Sequence, residues 1–363
     1  MNLRGAQPTV CFLRLTLEQN SARGSALNFL LAVVVSRPAL RFVLPARAQF
    51  LYSQFVFPSW NPAQPEISDL VVQHDPKTLQ RLPVNKLEIL RIFERFQNKK
   101  ALRAIERIPT KEGFLDPVAV DRLMLTVHWE MQRLAEEFYH GHRVLKLLRA
   151  TIAAMRSSGH TGSIRIVDVG CGIGYTIRWL AARSMLHKED VELTGVDLNS
   201  TLVNEANRLA TQEALPCRFF HGNAFSADLR GHIYISTGVL HHFRGDSLIA
   251  FLRQHGNETT QAFVHYDFQP WALAPFGSWF FHVIRMRTAL ARHDGVLSTA
   301  RAHNAHTLVS AARAAVPELT AGIYGAKIWN TPAPRVFHAL VGFRPALVPQ
   351  LKQSLGRMLG ELP

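Results

Sequence analysis

A set of histidines in the second half of the chain could move a proton during a group transfer. Histidine changes its charge near neutral pH, so a positioned imidazole can act as the general base that activates a hydroxyl nucleophile. Each ring could instead cap backbone groups or shape a pocket, and both interpretations stay open. The candidate catalytic residues are His241, His242 and His293. Other groups that could take part are His265, Asp267 and Asp294.

The elements that would position these groups begin with a glycine-rich turn. The residues from Asp168 to Gly174 read Asp-Val-Gly-Cys-Gly-Ile-Gly, between a β-rich run and a helical pattern. Glycines let the backbone approach a ligand closely, and the free N–H groups at the helix start face that ligand. The spacing differs from the dinucleotide pattern Gly-x-Gly-x-x-Gly, and no Gly-Lys-Ser/Thr follows. An acid just before the first glycine favours a ligand with a cationic amine, such as S-adenosylmethionine.

Polar residues follow the next predicted strands along the chain. The second strand ends in Asp197, 23 residues after Gly174, where an acid usually binds two ribose hydroxyls. The third strand ends before Asn223 and Ala224, and an amide there can hydrogen-bond the edge of an adenine. The fourth strand is followed by Gly238. The five strands are predicted at 163–167, 191–196, 216–221, 232–236 and 261–265.

Residues 163–268 resemble the core of a class I S-adenosylmethionine-dependent methyltransferase. The resemblance rests on the glycine turn, the spacing to Asp197, the Gly-Asn-Ala step at 222–224 and the Val-Leu-His-His-Phe run at 239–243. It implies an α/β, Rossmann-like fold with a seven-stranded, mostly parallel sheet, and S-adenosylmethionine as cofactor. The cofactor-binding residues that it implies are Asp168, Gly170, Gly172, Gly174, Asp197, Asn223, Ala224 and Gly238.

Two features are similar to small-molecule enzymes within this class. The Leu-His-His run resembles methyltransferases that act on quinones and phenols. The residues 292–298, with Arg301, resemble bacterial methyltransferases of phenolic or polyketide products. The resemblance therefore implies a small aromatic, quinone-like or lipid-like acceptor.

Length and composition limit the number of domains and the kinds of site that the chain can contain. At 363 residues, with 47% hydrophobic and 19% charged residues, the chain predicts one catalytic domain with additions. The three cysteines show no paired or metal-type spacing, which predicts a reducing cytoplasm and argues against a zinc site. The predicted regions are an N-terminal extension at 1–64, a helical region at 65–158, the methyltransferase domain at 159–345 and a C-terminal helix at 346–363.

Two regions keep more than one interpretation. Residues 1–64 are basic and poor in acids, and could be disordered, a targeting segment or the product of a mis-assigned translation start. An unusually aromatic insertion at 268–303 follows the fifth strand, and it could form a lid, pack in the core or face a lipid surface. Peripheral membrane contact is thus one open interpretation.

The basic charge suggests a second function. A net charge of +14 is compatible with binding to RNA or to an anionic membrane, so an RNA methyltransferase is the alternative. However, the arginines are scattered, and the segment after the fourth strand lacks the Asn/Asp-Pro-Pro-aromatic pattern that grips an exocyclic amine. The sequence therefore favours a small-molecule acceptor over nucleic acid and leaves the oligomeric state open.

Overall fold

The computed structural model describes residues 10–15, 29–36, 39–41, 60–75, 78–183, 190–325 and 335–360. The chain divides into two compact units, Met1–Ser59 and Trp60–Pro363. In the first unit, three antiparallel strands lie in sequence order: β1 (Val10–Leu15), β2 (Phe29–Ser36) and β3 (Ala39–Arg41). The interpretations of residues 1–64 given above stay predictions.

A large mixed sheet forms the centre of the second unit. Its described strands follow the order β13-β11-β12-β10-β9-β6-β7-β8, and β4 and β5 pair separately as a short hairpin. The strands are β4 (Thr110–Lys111), β5 (Phe114–Leu115), β6 (Ile164–Val169), β7 (Val191–Asp197), β8 (Cys217–His221), β9 (Ile233–Thr237), β10 (Ala262–Phe268), β11 (Thr320–Tyr324), β12 (Phe337–Phe343) and β13 (Leu359–Gly360).

The strand order confirms the predicted Rossmann-like architecture. Strands β8, β7, β6, β9 and β10 are parallel, and β12 runs antiparallel to β10 and β11. The central strands are nearly continuous buried runs, as expected for a parallel sheet that is covered on both faces. Strands β7 and β8 follow on one side of β6, whereas β9 and β10 follow on its other side. The strand order therefore reverses between β6 and β9. In open α/β sheets, ligands bind beyond the carboxyl ends of the strands at such a switch point.

The predicted strand count of seven is wrong, because the described residues form eight strands in this sheet. The predicted C-terminal helix ends early, at Leu355, where Gly356 adopts a positive φ of 55°. The chain can then turn back, and β13 pairs with the end of β11. The sequence also predicts two strands at 318–329 and 335–342 that are joined at 330–334, and this connection lies outside the described residues.

Twelve described α-helices surround the sheet. Their capping follows from the sequence: Asp116, for example, accepts from the backbone N–H of Val118, and Pro117 stands at the first helical position. The helices are α1 (Ile67–Val71), α2 (Lys86–Arg95), α3 (Lys99–Glu106), α4 (Pro117–Glu137), α5 (His140–Ser157), α6 (Tyr175–Ala181), α7 (Ser200–Gln212), α8 (Asp246–Arg253), α9 (Ala274–Arg285), α10 (Ala289–Arg301), α11 (Ala305–Ala315) and α12 (Val348–Leu355).

The N-terminal helices pack over the carboxyl ends of the parallel strands. Buried side chains of α1 to α4, such as Phe93 and Ile105, form one apolar cluster with Ile173 and Leu202. This cluster joins the helical region to the loops that follow β6 and β7.

One local prediction fails in this region. The prolines and weak helical period of residues 45–85 predict a linker or an irregular packing segment, but α1 forms within this range. A reciprocal capping box joins Glu66 and Asp69, and Asp294 of α10 accepts from the first N–H groups of the helix. These contacts offset the low stability of such a short helix.

Candidate functional site

The glycine turn adopts the conformation that its sequence predicts. Gly170, Gly172 and Gly174 have φ values of 68°, 55° and 76°, in the left-handed region that favours glycine. A Cβ atom at Gly174 would lie 2.4 Å from the Phe219 ring, so the helix start packs directly on β8. His128 of α4 lies over the turn, since a Cβ at Gly172 would approach its ring to 2.6 Å.

Replacing Gly174 by alanine should therefore destabilise the fold. The added Cβ meets a ring in the sheet and forces a strained φ, at a cost of about 1–3 kcal/mol for the backbone alone. Thermal melting of the variant measures this loss. The control is Gly162→Ala, because a Cβ at Gly162 meets nothing within 4 Å. A Gly174→Ala melt equal to that of wild type would show that the turn tolerates a side chain and that its packing is misassigned.

Two carboxylates lie at the carboxyl ends of β6 and β7, beside this turn. Asp168 is fully buried, and among the described residues its Oδ1 has no hydrogen-bond partner. Burial, and secondly the nearby Asp197 carboxylate, hold the pKa of Asp168 well above its usual value. A buried carboxylate without a partner is costly unless a cation or donor satisfies it. The cationic amine of S-adenosylmethionine fits this position.

Asp197 links the second strand to the turn. Its Oδ2 accepts from Gly172 N–H at 2.9 Å, and its Oδ1 accepts from Asn199 N–H at 2.8 Å. The carboxylate is thus held at the tip of β7, and a carboxylate oxygen has lone pairs for more than one donor. It can accept from ribose hydroxyls in this position.

The other predicted cofactor residues lie at the same edge of the sheet. Asn223 is exposed after β8 and accepts from Phe225 N–H at 3.0 Å, while Ala224 is buried beneath it. Gly238 follows β9 with φ 70° and donates its N–H to Tyr266 O at 2.8 Å. The structure therefore brings all eight predicted cofactor residues to the carboxyl ends of adjacent strands.

Asp267 holds the ring of His241 in a site with little solvent. Nδ1 of His241 lies 2.8 Å from Asp267 Oδ1, and the His241 backbone N–H donates to Oδ2 at 2.9 Å. Burial acts to raise the pKa of Asp267, but His241 outweighs it, and the pKa is lowered. Because Asp267 accepts from Nδ1, the acceptor nitrogen of the ring is Nε2. Nε2 faces Glu66 Oε1 at 3.6 Å, beyond hydrogen-bond distance.

His242 has a different environment, although its ring contacts that of His241, tilted by 36° at 4.3 Å between ring centroids. Its Nδ1 lies 2.7 Å from Asp69 Oδ1, and Asp69 also accepts from Arg301 at 2.8 Å. Burial opposes the charge of His242, but Asp69 and Glu66 raise its pKa to about 9. Burial likewise opposes the charge of Asp69, but His242 and Arg301 lower its pKa to about 2. At neutral pH, His242 is therefore a cation in an ion pair rather than a base.

This ion pair predicts a pH window of stability. The raised pKa of His242 stabilises the fold fully below its usual 6.5 and no longer above about 9. The lowered pKa of Asp69 stabilises it above 3.8, and that contribution is lost towards about 2. Asp69→Asn should therefore lower the melting temperature most between pH 3.8 and pH 6.5. The expected shift is ~2–4 °C for each kcal/mol of stability that is lost. Melting curves at about pH 6 and about pH 10 test the window, with the exposed Asp228→Asn as control. An equal loss at both values would contradict it.

His293 lies apart from the other two histidines. Its Nδ1 lies 2.7 Å from Asp294 Oδ1, and its Nε2 accepts from Asn98 Nδ2 at 2.8 Å. Both ring nitrogens are therefore occupied by neighbouring side chains. Asp294 in turn caps α1, so His293 belongs to the contacts that join α10 to the N-terminal helices.

A metal ion is one chemical use of the histidine pair. Glu66, His241 and His242 offer ligand atoms that all lie within 4.8 Å of one another, and a carboxylate with two imidazoles can bind a divalent ion. However, Arg301 Nη1 already brings a positive charge to 3.9 Å from Glu66 Oε1. The geometry thus favours proton handling by this group over metal binding.

Sequence reasoning missed three residues of the site. Glu66 is 2% exposed and accepts from Ser298 Oγ at 3.1 Å, and burial raises its pKa. Asp69 and His128 complete the contacts of the N-terminal helices with the site. The one local signal for Glu66 and Asp69 was their spacing, which is compatible with reciprocal capping at the start of a helix.

The middle of the chain matches a known protein family. Residues 166–257 match the family model described as a methyltransferase domain. No curated protein sequence is significantly similar to the chain. The matched region spans β6 to the end of α8, and so contains the glycine turn, Asp197 and the histidine pair.

Several solved methyltransferase structures are also similar to the chain. The plantazolicin methyltransferase BpumL, in complex with S-adenosylhomocysteine, has a TM-score of 0.44 and 14% identity, over 62% of this chain and 95% of that chain. The magnesium protoporphyrin IX methyltransferase of Synechocystis PCC 6803 has a TM-score of 0.37 and 14% identity, over 71% and 99%. An O-methyltransferase from neocarzinostatin biosynthesis has a TM-score of 0.39 and 16% identity, over 70% and 61%.

Two observations bear on the function of the chain, namely the family match and the strand order. The parallel strands place the glycine turn and the acids at the carboxyl ends of β6 and β7, beside the switch point. They confirm the prediction that the chain is an S-adenosylmethionine-dependent methyltransferase with a class I domain.

Proposed function

We propose that the enzyme methylates a hydroxyl group of a small aromatic, quinone-like or lipid-like acceptor, with His241 as the general base. The observation that carries the proposal is the Asp267–His241 pair, whose nitrogen Nε2 makes no hydrogen bond among the described residues and lies 3.6 Å from Glu66 Oε1. Such a carboxylate-held imidazole is the arrangement that activates a hydroxyl nucleophile in other enzymes.

The chain's own residues divide the work at the site. S-adenosylmethionine, when bound, supplies the electrophilic methyl group, and Asp168 and Asp197 are the acids that would hold its amine and its ribose. Asp267 fixes the ring of His241 so that Nε2 can accept the proton of the acceptor hydroxyl. Glu66 lies beside Nε2 and can stabilise the imidazolium that forms. The N-terminal helices cover this edge and exclude water.

Aromatic side chains beside His241 support a flat, apolar acceptor. Phe268 lies 6.0 Å from the His241 ring, and Phe337 lies 4.9 Å from Phe268. Phe138 continues the run at 5.4 Å from Phe337. Two buried polar atoms near this run have no hydrogen-bond partner among the described residues: Gln269 Oε1, and Nε2 of His140, whose ring packs on Phe337. An aromatic acceptor with polar substituents would satisfy both features.

Transfer of a labelled methyl group tests this proposal. The full chain would be incubated with methyl-labelled S-adenosylmethionine and either a panel of phenols, hydroxyquinones and hydroxylated lipids or total RNA. We expect label in the organic extract, with weak dependence on salt. Label in RNA, with transfer that falls steeply as salt rises, would instead support the RNA methyltransferase alternative, because phosphate contacts weaken strongly with salt.

A further inference from the structure

Helix α9, in the aromatic insertion, presents an apolar stripe to solvent. The side chains of Leu273, Phe280, Val283 and Ile284 are 39%, 46%, 44% and 61% exposed. At 100° per residue, these positions fall within about 100° of the helix circumference. Phe276 lies on the same stripe, 40% exposed and stacked on Trp279. Monomeric proteins rarely expose so many large apolar side chains in one place.

The opposite face of α9 is fixed to the body of the enzyme. His282 is buried, and a Cβ atom at Gly295 would lie 2.0 Å from its ring, so α9 and α10 pack in direct contact. Phe281 packs on Phe138 at 5.4 Å between ring centroids. The stripe is therefore the outer face of a well-anchored helix and not a segment that awaits burial in the core.

The charges around this apolar stripe indicate which kind of partner it binds. Exposed arginines lie just beyond α9, at Arg287 and Arg292, whereas Arg285 at its carboxyl end pairs with Glu137. The single acid within residues 268–303, Asp294, is buried. Trp271, 49% exposed, stands before the helix at the other end. An aromatic and aliphatic face with flanking arginines is typical of helices that lie in the interface of an anionic bilayer.

We propose that α9 docks the enzyme on the surface of an anionic phospholipid membrane. No helix in the described part of the chain is long and apolar enough to cross a bilayer. The helix of 12 residues would instead lie in the plane of the interface, with its stripe below the headgroups and Arg287 and Arg292 on the phosphates. If the proposed lipid-like acceptor is correct, docking would also bring the site close to it. The docking itself does not depend on that acceptor.

Cosedimentation with vesicles tests the proposal without cofactor or acceptor. The full chain would be mixed with vesicles of phosphatidylcholine alone or of phosphatidylcholine with phosphatidylglycerol. We expect binding to the anionic vesicles, and a loss of about tenfold in the variant Phe280→Ser/Ile284→Ser, since both side chains lose apolar surface that would enter the bilayer. The matched control is Leu87→Ser on α2, because Leu87 is also 61% exposed. It should bind as wild type does.

Three outcomes would overturn the docking proposal. The first is no binding of wild type to anionic vesicles. The second is equal binding of the α9 variant and wild type, which would reduce the interaction to the general basic charge. The third is a wild-type dimer in analytical ultracentrifugation that the α9 variant converts to monomer while vesicle binding is unchanged, which would assign the stripe to a second copy. Circular dichroism melts of each variant confirm that it is folded. Because methyl transfer is not measured, none of these results depends on the proposed acceptor.

Discussion

Replacing His241 by alanine is expected to reduce methyl transfer by about 10²–10⁴-fold, the range typical of a general base. The ring is 4% exposed and is held by Asp267 at 2.8 Å, so no solvent-borne base can readily take its place. Binding of S-adenosylmethionine should change little, because the predicted cofactor contacts are made by other residues. Initial rates and calorimetric affinities of the same preparation separate these two effects.

Asp267→Asn and His293→Ala make this result specific. The asparagine keeps the shape of the side chain but cannot hold the imidazolium, so transfer should fall by a similar order. His293→Ala should retain most of the wild-type rate, since both nitrogens of His293 are bonded to neighbours away from Asp267. A His241→Ala enzyme with the rate of wild type, or a His293→Ala enzyme that alone is inactive, would refute the assignment of the base.

Replacing Asp197 by alanine should weaken the binding of S-adenosylmethionine by about 1–3 kcal/mol, or roughly fivefold to 150-fold in Kd. We propose this carboxylate at the tip of β7 as the acceptor for ribose hydroxyls, and it also holds the Gly172 N–H of the glycine turn. Both contributions disappear in the variant. Isothermal titration with S-adenosylmethionine measures the change.

The matched control for Asp197 is Asp228→Ala, which removes an exposed acid elsewhere on the same domain. It should leave the affinity within the error of the titration. An unchanged affinity of Asp197→Ala would contradict the proposed role of this residue. Tighter binding of NADH than of S-adenosylmethionine by wild type would contradict the cofactor itself.

The sheet and the cofactor residues could be predicted because their signals are local in sequence. A glycine turn between strand and helix, and an acid 23 residues after Gly174, each depend on a short stretch of chain. The five parallel strands were placed within a few residues of the observed ones for the same reason. The eighth strand could not be predicted, because its two residues have no periodicity to read.

The histidine site could be predicted only in part. His241 was a candidate from its position after a strand, but the sequence could not separate it from His242 or His293. The separation depends on partners that tertiary folding supplies: Asp267 for His241, and Asp69, 173 residues away, for His242. Asp69 lies on a helix of five residues, capped by Glu66, that is too short for its periodicity to be recognised. No local pattern could have shown which imidazole would pair with Asp267 and which with Asp69.

A crystal structure of the full chain with S-adenosylhomocysteine tests the central claim most directly. We expect the ligand amine within hydrogen-bond distance of Asp168 Oδ1, the oxygen that has no partner among the described residues. We also expect ribose hydroxyls on Asp197 and a sulfur atom that points towards His241. A ligand bound elsewhere, for example in the cavity of about 220 Å³ lined by His74, Asn199 and His221, with Asp168 still unpaired, would contradict it.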